Sequence, residues 1–247
     1  MFNEEVKKYY NKNASKYYEE RVLSGGSLFN EYIEMPAVMK LLNDNFVDKK
    51  ILDIGCGLGI YSKLLSEKGG IVTAIDSSKE MINHAKKLCA GLKVEFIHQP
   101  FECLILENIE KYDIILGSFM LSYFEDLILV FSKISKILSS VGICILSMLH
   151  PLRLSSVRNE SGIYSILDYF DNNSIYASDF LNNDEILHLK KWTISDITHA
   201  ASNSGLLIEL ILEPKPHKIP AKFDNLKTSY LAKCPSVIIF KFVKNNS

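Results

Sequence analysis

One segment constrains the fold of this chain more than any other. Ile51-Leu52-Asp53-Ile54-Gly55-Cys56-Gly57-Leu58-Gly59 is followed by a second apolar run, Ile71–Ile75, that ends at Asp76. The spacing predicts a strand closing at Ile54, a turn on three alternating glycines, a helix from about Ile60, and a second strand. Glycine is needed where a backbone must turn tightly and approach a ligand with no Cβ in the way. An acid at the end of the second strand is placed to accept hydrogen bonds from both hydroxyls of a ribose. The plainer alternative is a glycine turn without a nucleoside ligand. The combination of strand, Gly-x-Gly-x-Gly, helix, strand and terminal Asp favours the nucleoside.

The rest of the middle of the chain keeps the same rhythm. Strands are expected at Lys50–Ile54, Ile71–Ile75, Lys93–Ile97, Tyr112–Leu116, Gly142–Ser147, Leu206–Leu212 and Val237–Val243. Helices are expected between them at Ile60–Glu67, Lys79–Cys89, Leu127–Leu138 and Ser195–Ser204. Such alternation predicts an α/β fold, a Rossmann-like doubly wound seven-stranded sheet with helices on both faces. No helix is evident between the last two strands, where Pro214, Pro216 and Pro220 fall. A parallel neighbour needs a long crossover, so the last strand is expected to enter antiparallel in an otherwise mostly parallel sheet.

The expected organisation is a single domain over residues 1–247. Within it, 1–49 form an N-terminal helical lid, 50–150 the cofactor-binding half, 151–192 an insertion over the substrate, and 193–247 a C-terminal helix and strands. A forty-residue excursion from a compact core is usually a lid or binding loop.

Composition narrows the function. The 28 Lys and Arg against 29 Asp and Glu leave a formal charge of −1, which argues against a nucleic-acid partner. The 47% hydrophobic and 23% charged residues exclude disorder for the bulk of the chain. The uncharged run Ile137–Leu152 is broken by Ser139, Ser140, Gly142 and Pro151, so it reads as a buried strand and no membrane partner is expected. The N-terminus lacks the basic and apolar regions of a signal peptide. Five dispersed cysteines, none spaced Cys-x-x-Cys, point to neither a metal site nor a disulfide framework and to a cytoplasmic location.

The glycine spacing discriminates between nucleosides. The dinucleotide fingerprint places its third glycine where Ile60 stands, and an acid such as Asp53 beside the loop would repel a pyrophosphate. Asp53 instead suits a ligand with an ammonium and a sulfonium, which is S-adenosylmethionine. At these residues the chain resembles the class I S-adenosylmethionine-dependent methyltransferases. Asp53–Gly59 resembles their first motif, Asp76 their second, Tyr112–Tyr123 the fourth-strand motif and Gly142–Ser147 the fifth strand. The small-molecule type is the most similar, through His150-Pro151, Gly205-Leu206, Glu213-Pro214 and Pro235–Ile239.

The resemblance implies S-adenosylmethionine as cofactor and S-adenosylhomocysteine as product. It implies that Gly55, Cys56, Gly57 and Gly59 pass under the methionine and ribose, with Asp53 at the first motif. Asp76 holds the ribose diol, with Ser77 and Met81 flanking the adenine. Phe101 and Glu102 read the adenine edge, Gly117 and Ser118 lie beside the methionine moiety, and Tyr17 closes over it. Two departures stand out. Pro100 occupies the place where the family usually carries an Asp for the adenine amino group, and Lys191-Trp192 replaces a frequent His-Arg before the late helix.

Methyl transfer is an in-line displacement in which alignment of the reactants does much of the work, and a base is needed only if the acceptor loses a proton. His150, after a strand whose carboxyl end faces the expected crevice, is the candidate base; its alternative role is to anchor the turn at Pro151. Tyr123, with Tyr9, Tyr10, Tyr17 and Tyr18, offers cation–π contact to a sulfonium. Tyr164, Tyr169, Tyr176 and Phe180 are candidates for an aromatic acceptor pocket. The expected function is transfer to an O or N atom of a small molecule. The alternatives are a non-catalytic cofactor-binding subunit, a peptide or RNA methyltransferase, and a nicotinamide oxidoreductase.

Overall fold

The computed structural model describes residues 2–43, 45–106, 111–158, 164–171, 176–178, 187–216, 219–223 and 233–245. Its centre is β1 (Lys50–Ile54), in which Ile51, Leu52 and Ile54 are all fully buried. A strand apolar on both faces has to be covered on both faces, and each such side chain contributes roughly 1.5–3 kcal/mol when removed from water. β1 pairs in parallel with β2 (Ile71–Asp76) on one side and β4 (Tyr112–Gly117) on the other. β3 (Val94–His98) extends the sheet beyond β2, and β5 (Leu138–Leu149) extends it beyond β4, both parallel.

β11 (Val237–Lys244) then runs antiparallel to β5, and β10 (Leu206–Leu212) pairs antiparallel with β11. The order across the seven-stranded sheet is β10-β11-β5-β4-β1-β2-β3. The last strand is therefore the reversed one, as the missing helical crossover predicts. It lies inside the sheet, between β10 and β5. The chain order changes direction between β1 and β4, and in open α/β sheets ligands bind beyond the carboxyl ends of the strands at such a point.

Helices α3 (Ile60–Glu67), α4 (Lys79–Leu88), α5 (Leu127–Ile137) and α7 (Ile194–Asn203) match the expected positions to within a residue at most boundaries. Side chains start three of them. The Ser78 hydroxyl accepts from the Met81 N–H, the Asp126 carboxylate from the Leu129 N–H, and Thr193 forms a reciprocal box with Asp196. Two apolar layers result, one gathering Phe131, Phe240 and Phe242, the other Phe46, Val38 and Ile239.

Two expectations need revising. β5 is much longer than Gly142–Ser147, because Leu138 pairs with Tyr112 at one end and Leu149 with Val237 at the other. The described residues of 151–192 form a short helix, α6 (Pro151–Leu154), and four three-residue strands. β6 (Ser156–Arg158) pairs with β7 (Tyr164–Ile166), and β8 (Tyr176–Ser178) with β9 (Leu187–Leu189). Residues ahead of β1 are helical as expected, in α1 (Phe2–Tyr18), the π-helical turns Glu19–Leu23 and Asn30–Glu34, and α2 (Met35–Leu41). No helix among the described residues is long and apolar enough to cross a membrane.

Candidate functional site

Beyond the carboxyl ends of β1, β2 and β4 lies a cavity of about 720 Å3. That falls within the ~300–1,000 Å3 typical of small-molecule sites. The glycine turn forms its floor. Gly55 has φ +65°, and a Cβ there would lie 2.0 Å from Met120 Sδ, so a side chain would be strained and would have to displace Met120. Gly57 has φ +53°, and a Cβ there would meet nothing within 4 Å. Its open side is consistent with a ligand passing close over the backbone.

Asp76 closes this turn. Its Oδ2 accepts from the Gly57 N–H at 2.8 Å and its Oδ1 from the Ser78 N–H at 2.8 Å. Each carboxylate oxygen has two lone pairs, so one on each remains for a vicinal diol. Asp53 is 2% exposed and accepts from the Ser62 hydroxyl at 2.6 Å. Burial pushes its carboxyl up to about 7, with repulsion from Asp76 and Glu34 adding and the Ser62 hydrogen bond opposing. Burial also raises Asp76, against the lowering effect of the Ser78 and Gly57 N–H groups and His98. Neither acid forms an ion pair among the described residues. Two buried carboxyl groups without a cationic partner among the described residues, an open-sided glycine and a diol acceptor fit S-adenosylmethionine; they do not fit a pyrophosphate.

Glu34 is a component that the sequence reading missed. It is fully buried, accepting from the Tyr61 hydroxyl at 2.7 Å and the Ser147 hydroxyl at 2.7 Å. Ser147 Oγ in turn accepts from the Phe119 N–H at 2.8 Å. Phe119 has φ +54° and lines the cavity. The buried carboxylate thus pins the β4 exit, a role fitted to its pKa being raised by burial. The available signal was a lone acid in the apolar run Tyr32-Ile33-Glu34-Met35.

Tyrosines roof the cavity. Tyr10 and Tyr17 of α1 and Tyr123 line it, whereas Tyr9 packs into the core and Tyr18 stacks on His84 at 4.9 Å. The Tyr10 and Tyr123 hydroxyls are 2.5 Å apart, and the Tyr10 and Tyr17 rings 5.4 Å. Burial raises all three phenols well above their ordinary value, so they present neutral rings and hydroxyls at pH 7. Asn11 latches α1 in place, its Oδ1 accepting from the Ser78 hydroxyl and the Glu80 N–H.

Twelve of the residues expected at the site line this one cavity: Asp53, Gly55, Cys56, Gly57, Asp76, Ser77, Met81, Phe101, Glu102, Ser118, Tyr17 and Tyr123. Gln99 and Pro100 accompany Phe101 and Glu102 along the expected adenine side. Gly59 and Gly117 do not line it. Gly59 is the N-cap of α3, and Gly117 ends β4 against Leu146. Burial raises the Cys56 thiol, which leaves it protonated and inert.

His150, the expected base, is not among the residues that line the cavity. It is 2% exposed, and both ring nitrogens are engaged. Nδ1 accepts from the Leu152 N–H at 3.1 Å, which puts the proton on Nε2, and Nε2 donates to Glu213 Oε1 at 2.8 Å. Burial lowers its pKa, with Glu213 opposing. His150 is the N-cap of α6 and anchors the turn at Pro151. Of the expected aromatic pocket, only Tyr169 has a described side chain, and it is not among the residues that line the cavity. Tyr169 packs edge-on against Phe170, while the side chains of Tyr164 and Tyr176, and all of Phe180, lie outside the described residues. Phe29, Phe223, Leu149 and Leu154 supply apolar wall instead.

Comparison with known proteins agrees with this geometry. The methyltransferase domain family matches residues 51–142. A Haemophilus influenzae protein of uncharacterised function is 36% identical over 129 residues, half of each chain. A ubiquinone biosynthesis O-methyltransferase of Vibrio vulnificus is 34% identical over 85 residues, 34% of this chain and 36% of that one. The chain thus spans half or less of the length of these curated relatives. The crystal structure of a candidate S-adenosylmethionine-dependent methyltransferase from Listeria monocytogenes superposes with a TM-score of 0.71 at 25% identity, covering 85% of this chain and 96% of that one. Strand order, glycine turn and family match converge on residues 51–142: this segment is a methyltransferase domain, in the fold of a solved S-adenosylmethionine-dependent methyltransferase.

Proposed function

We propose that this protein uses S-adenosylmethionine to methylate an O or N atom of a small-molecule acceptor. The observation that carries the reading is the pair Asp53 and Asp76, two carboxylates at adjacent strand ends facing one cavity without a cationic partner among the described residues. The family match and the named relatives support it. When bound, S-adenosylmethionine supplies a methyl carbon already activated by its sulfonium.

The protein's own task is then to hold and align. Asp76 takes the ribose diol while its bonds to Gly57 and Ser78 fix the carboxylate plane. Asp53 faces the ammonium and lowers its own desolvation cost by doing so. Gly55, Cys56 and Gly57 form the bed, and Ser77, Met81, Phe101 and Glu102 enclose the base. Ser118 lies beside the methionine portion. Tyr10, Tyr17 and Tyr123 present ring faces that attract a sulfonium and exclude water. The segment 1–49 is the lid. Alignment of this kind supplies up to ~7–11 kcal/mol of a displacement barrier. No histidine or lysine lines the cavity among the described residues. A nucleophile that attacks without prior deprotonation, such as a carboxylate or free amine, needs only this alignment, whereas one that loses a proton would have to give it to a cavity carboxylate such as Glu20 or Glu102.

The test is thermal unfolding with S-adenosylmethionine, S-adenosylhomocysteine or NAD. Ligand at 100 times its Kd stabilises by about 2.7 kcal/mol. At ~2–4 °C per kcal/mol for a chain this size, the adenosyl ligands are expected to raise Tm by several degrees and NAD not at all. A shift with NAD alone overturns the reading.

A further inference from the structure

The cavity continues past the glycine turn to a second end, walled by Phe29, Leu154, Ser156 and Phe223, and three cations stand in or near it. Two are already committed. Arg21 donates through Nε and Nη2 to Glu31 Oε1, at 2.9 and 2.5 Å. Lys222 Nζ donates to the carbonyls of Ser24, Gly25 and Gly26, at 2.8, 3.0 and 3.2 Å.

Arg153 is different. Its guanidinium lies over the Phe29 ring, 4.8 Å from the centroid, and lines the cavity. Its side chain makes no hydrogen bond or ion pair to a described residue. Glu20, the acid on this wall, is influenced by Arg21, Glu31 and Lys222 and not by Arg153. A ring face consumes none of the five N–H donors of a guanidinium, so the donor fork stays available while the plane is held. The backbone beneath is fixed too. His150 caps α6 through its Nδ1, Glu213 holds the other ring nitrogen, and Ser156 Oγ donates to the Arg153 carbonyl at 3.0 Å. A rigidly mounted arginine with a free fork, facing a cavity, is matched to a carboxylate or phosphate.

Resting on the proposed methyltransferase reading, we infer that the acceptor carries an oxyanion, and that Arg153, seated on Phe29, binds it. The acid-lined end of the cavity takes the cationic cofactor and the arginine end takes the anionic acceptor, so charge sorts the two ligands.

The test uses the full chain saturated with S-adenosylhomocysteine, titrated with sodium benzoate or inorganic phosphate. Benzamide and sodium chloride at equal ionic strength are the controls. At least one of the two anions is expected to bind and raise Tm where the controls do not. Arg153→Met keeps the aliphatic stem over Phe29 and is expected to weaken that binding at least tenfold. Arg153→Lys, a point charge without the fork, is expected to fall between. S-Adenosylhomocysteine affinity is expected to be the same in all three proteins, which separates lost anion binding from misfolding. Benzoate alone would assign a carboxylate, phosphate alone a phosphoryl group. Stabilisation by neither anion above the controls, or stabilisation undiminished in Arg153→Met, overturns the inference. Failure of the wild type to bind S-adenosylhomocysteine strikes the methyltransferase reading instead.

Discussion

The two ends of the cavity are built in opposite ways. At the glycine end, Asp53, Gly55, Gly57 and Asp76 come from two adjacent parallel strands and the turn between them, within 24 residues of sequence. Its polar groups are set by nearby chain, Asp76 by the Gly57 and Ser78 N–H groups and Asp53 by the Ser62 hydroxyl. At the arginine end, Phe29 precedes a π-helical turn, Arg153 rides a four-residue helix, and Phe223 follows β10 at a distance. That end exists only once the sheet has brought three remote segments together. A local motif can bind a cofactor common to many enzymes, while a composite wall can change without disturbing it.

The largest expected effect tests whether the glycine end is electrostatically unfinished without ligand. Asp53 has a folded pKa of about 7 against an ordinary 3.8. A raised carboxyl binds a proton in the folded state that the unfolded chain has already lost. Its stabilising contribution is therefore full below pH ~4 and is lost as pH rises through 7, a change of about 4 kcal/mol by linkage. Asp53→Asn is expected to flatten that part of the stability profile in denaturant titrations at pH 4.5 and 7.5. A bound ammonium should favour the charged carboxylate, so S-adenosylhomocysteine is expected to bind more tightly as pH rises through 7, with proton release detected by calorimetry in buffers of different ionisation heat. An unchanged slope in Asp53→Asn would remove the idea of a waiting anion.

Asp76→Ala comes next. Hydrogen bonds to a charged group contribute roughly 1.5–3 kcal/mol each, so losing the diol acceptor is expected to weaken S-adenosylhomocysteine at least tenfold. Binding of benzoate or phosphate to the cofactor-saturated protein is expected to persist, because Arg153 is untouched. Loss of both together would show that the two ends are one unit.

At the arginine end, His150→Ala removes the cap of α6 and the partner of Glu213. Losing an N-cap costs roughly 0.5–2 kcal/mol, measured here by denaturant unfolding. His150→Asn, whose side-chain oxygen can accept from the Leu152 N–H, is expected to restore most of that. Methyl transfer by His150→Asn should keep its pH profile. A lost acidic limb would return the histidine to the chemistry as a base.

Legibility in the sequence follows the same division. β1 and β10 are readable to the residue because each is a mostly apolar run, interrupted by one acid (Asp53, Glu209) and bounded by turn signals. The reversed β11 was readable from a loop with prolines and no helix. The full length of β5 was hidden by Ser139, Ser140 and Gly142, whose strand conformation is imposed by Tyr112 and β11 across the sheet. The strands of 151–192 are three residues each, too short for a period of two to register. In the sequence Arg153 is overshadowed by His150, three places earlier, which has the more familiar catalytic side chain. What separates them is which one faces the cavity, a fact of the α6 turn that no spacing encodes.

The smallest effect tests the boundary between the two ends, where Tyr10 of the lid meets Tyr123. Their shared hydroxyl contact at 2.5 Å is a neutral hydrogen bond, and such bonds contribute about 0.5–1.5 kcal/mol net. Tyr123→Phe removes it and keeps the ring. If the tyrosines act through their faces on a sulfonium, Tyr123→Phe should lose about that much stability and keep kcat of the same order, whereas Tyr123→Leu should lose transfer while still folding. If Tyr123→Phe alone abolishes transfer with S-adenosylhomocysteine affinity intact, the hydroxyl itself touches the reacting atoms. Because burial holds that phenol far above its ordinary pKa, it would then act as a hydrogen-bond donor and not as a base.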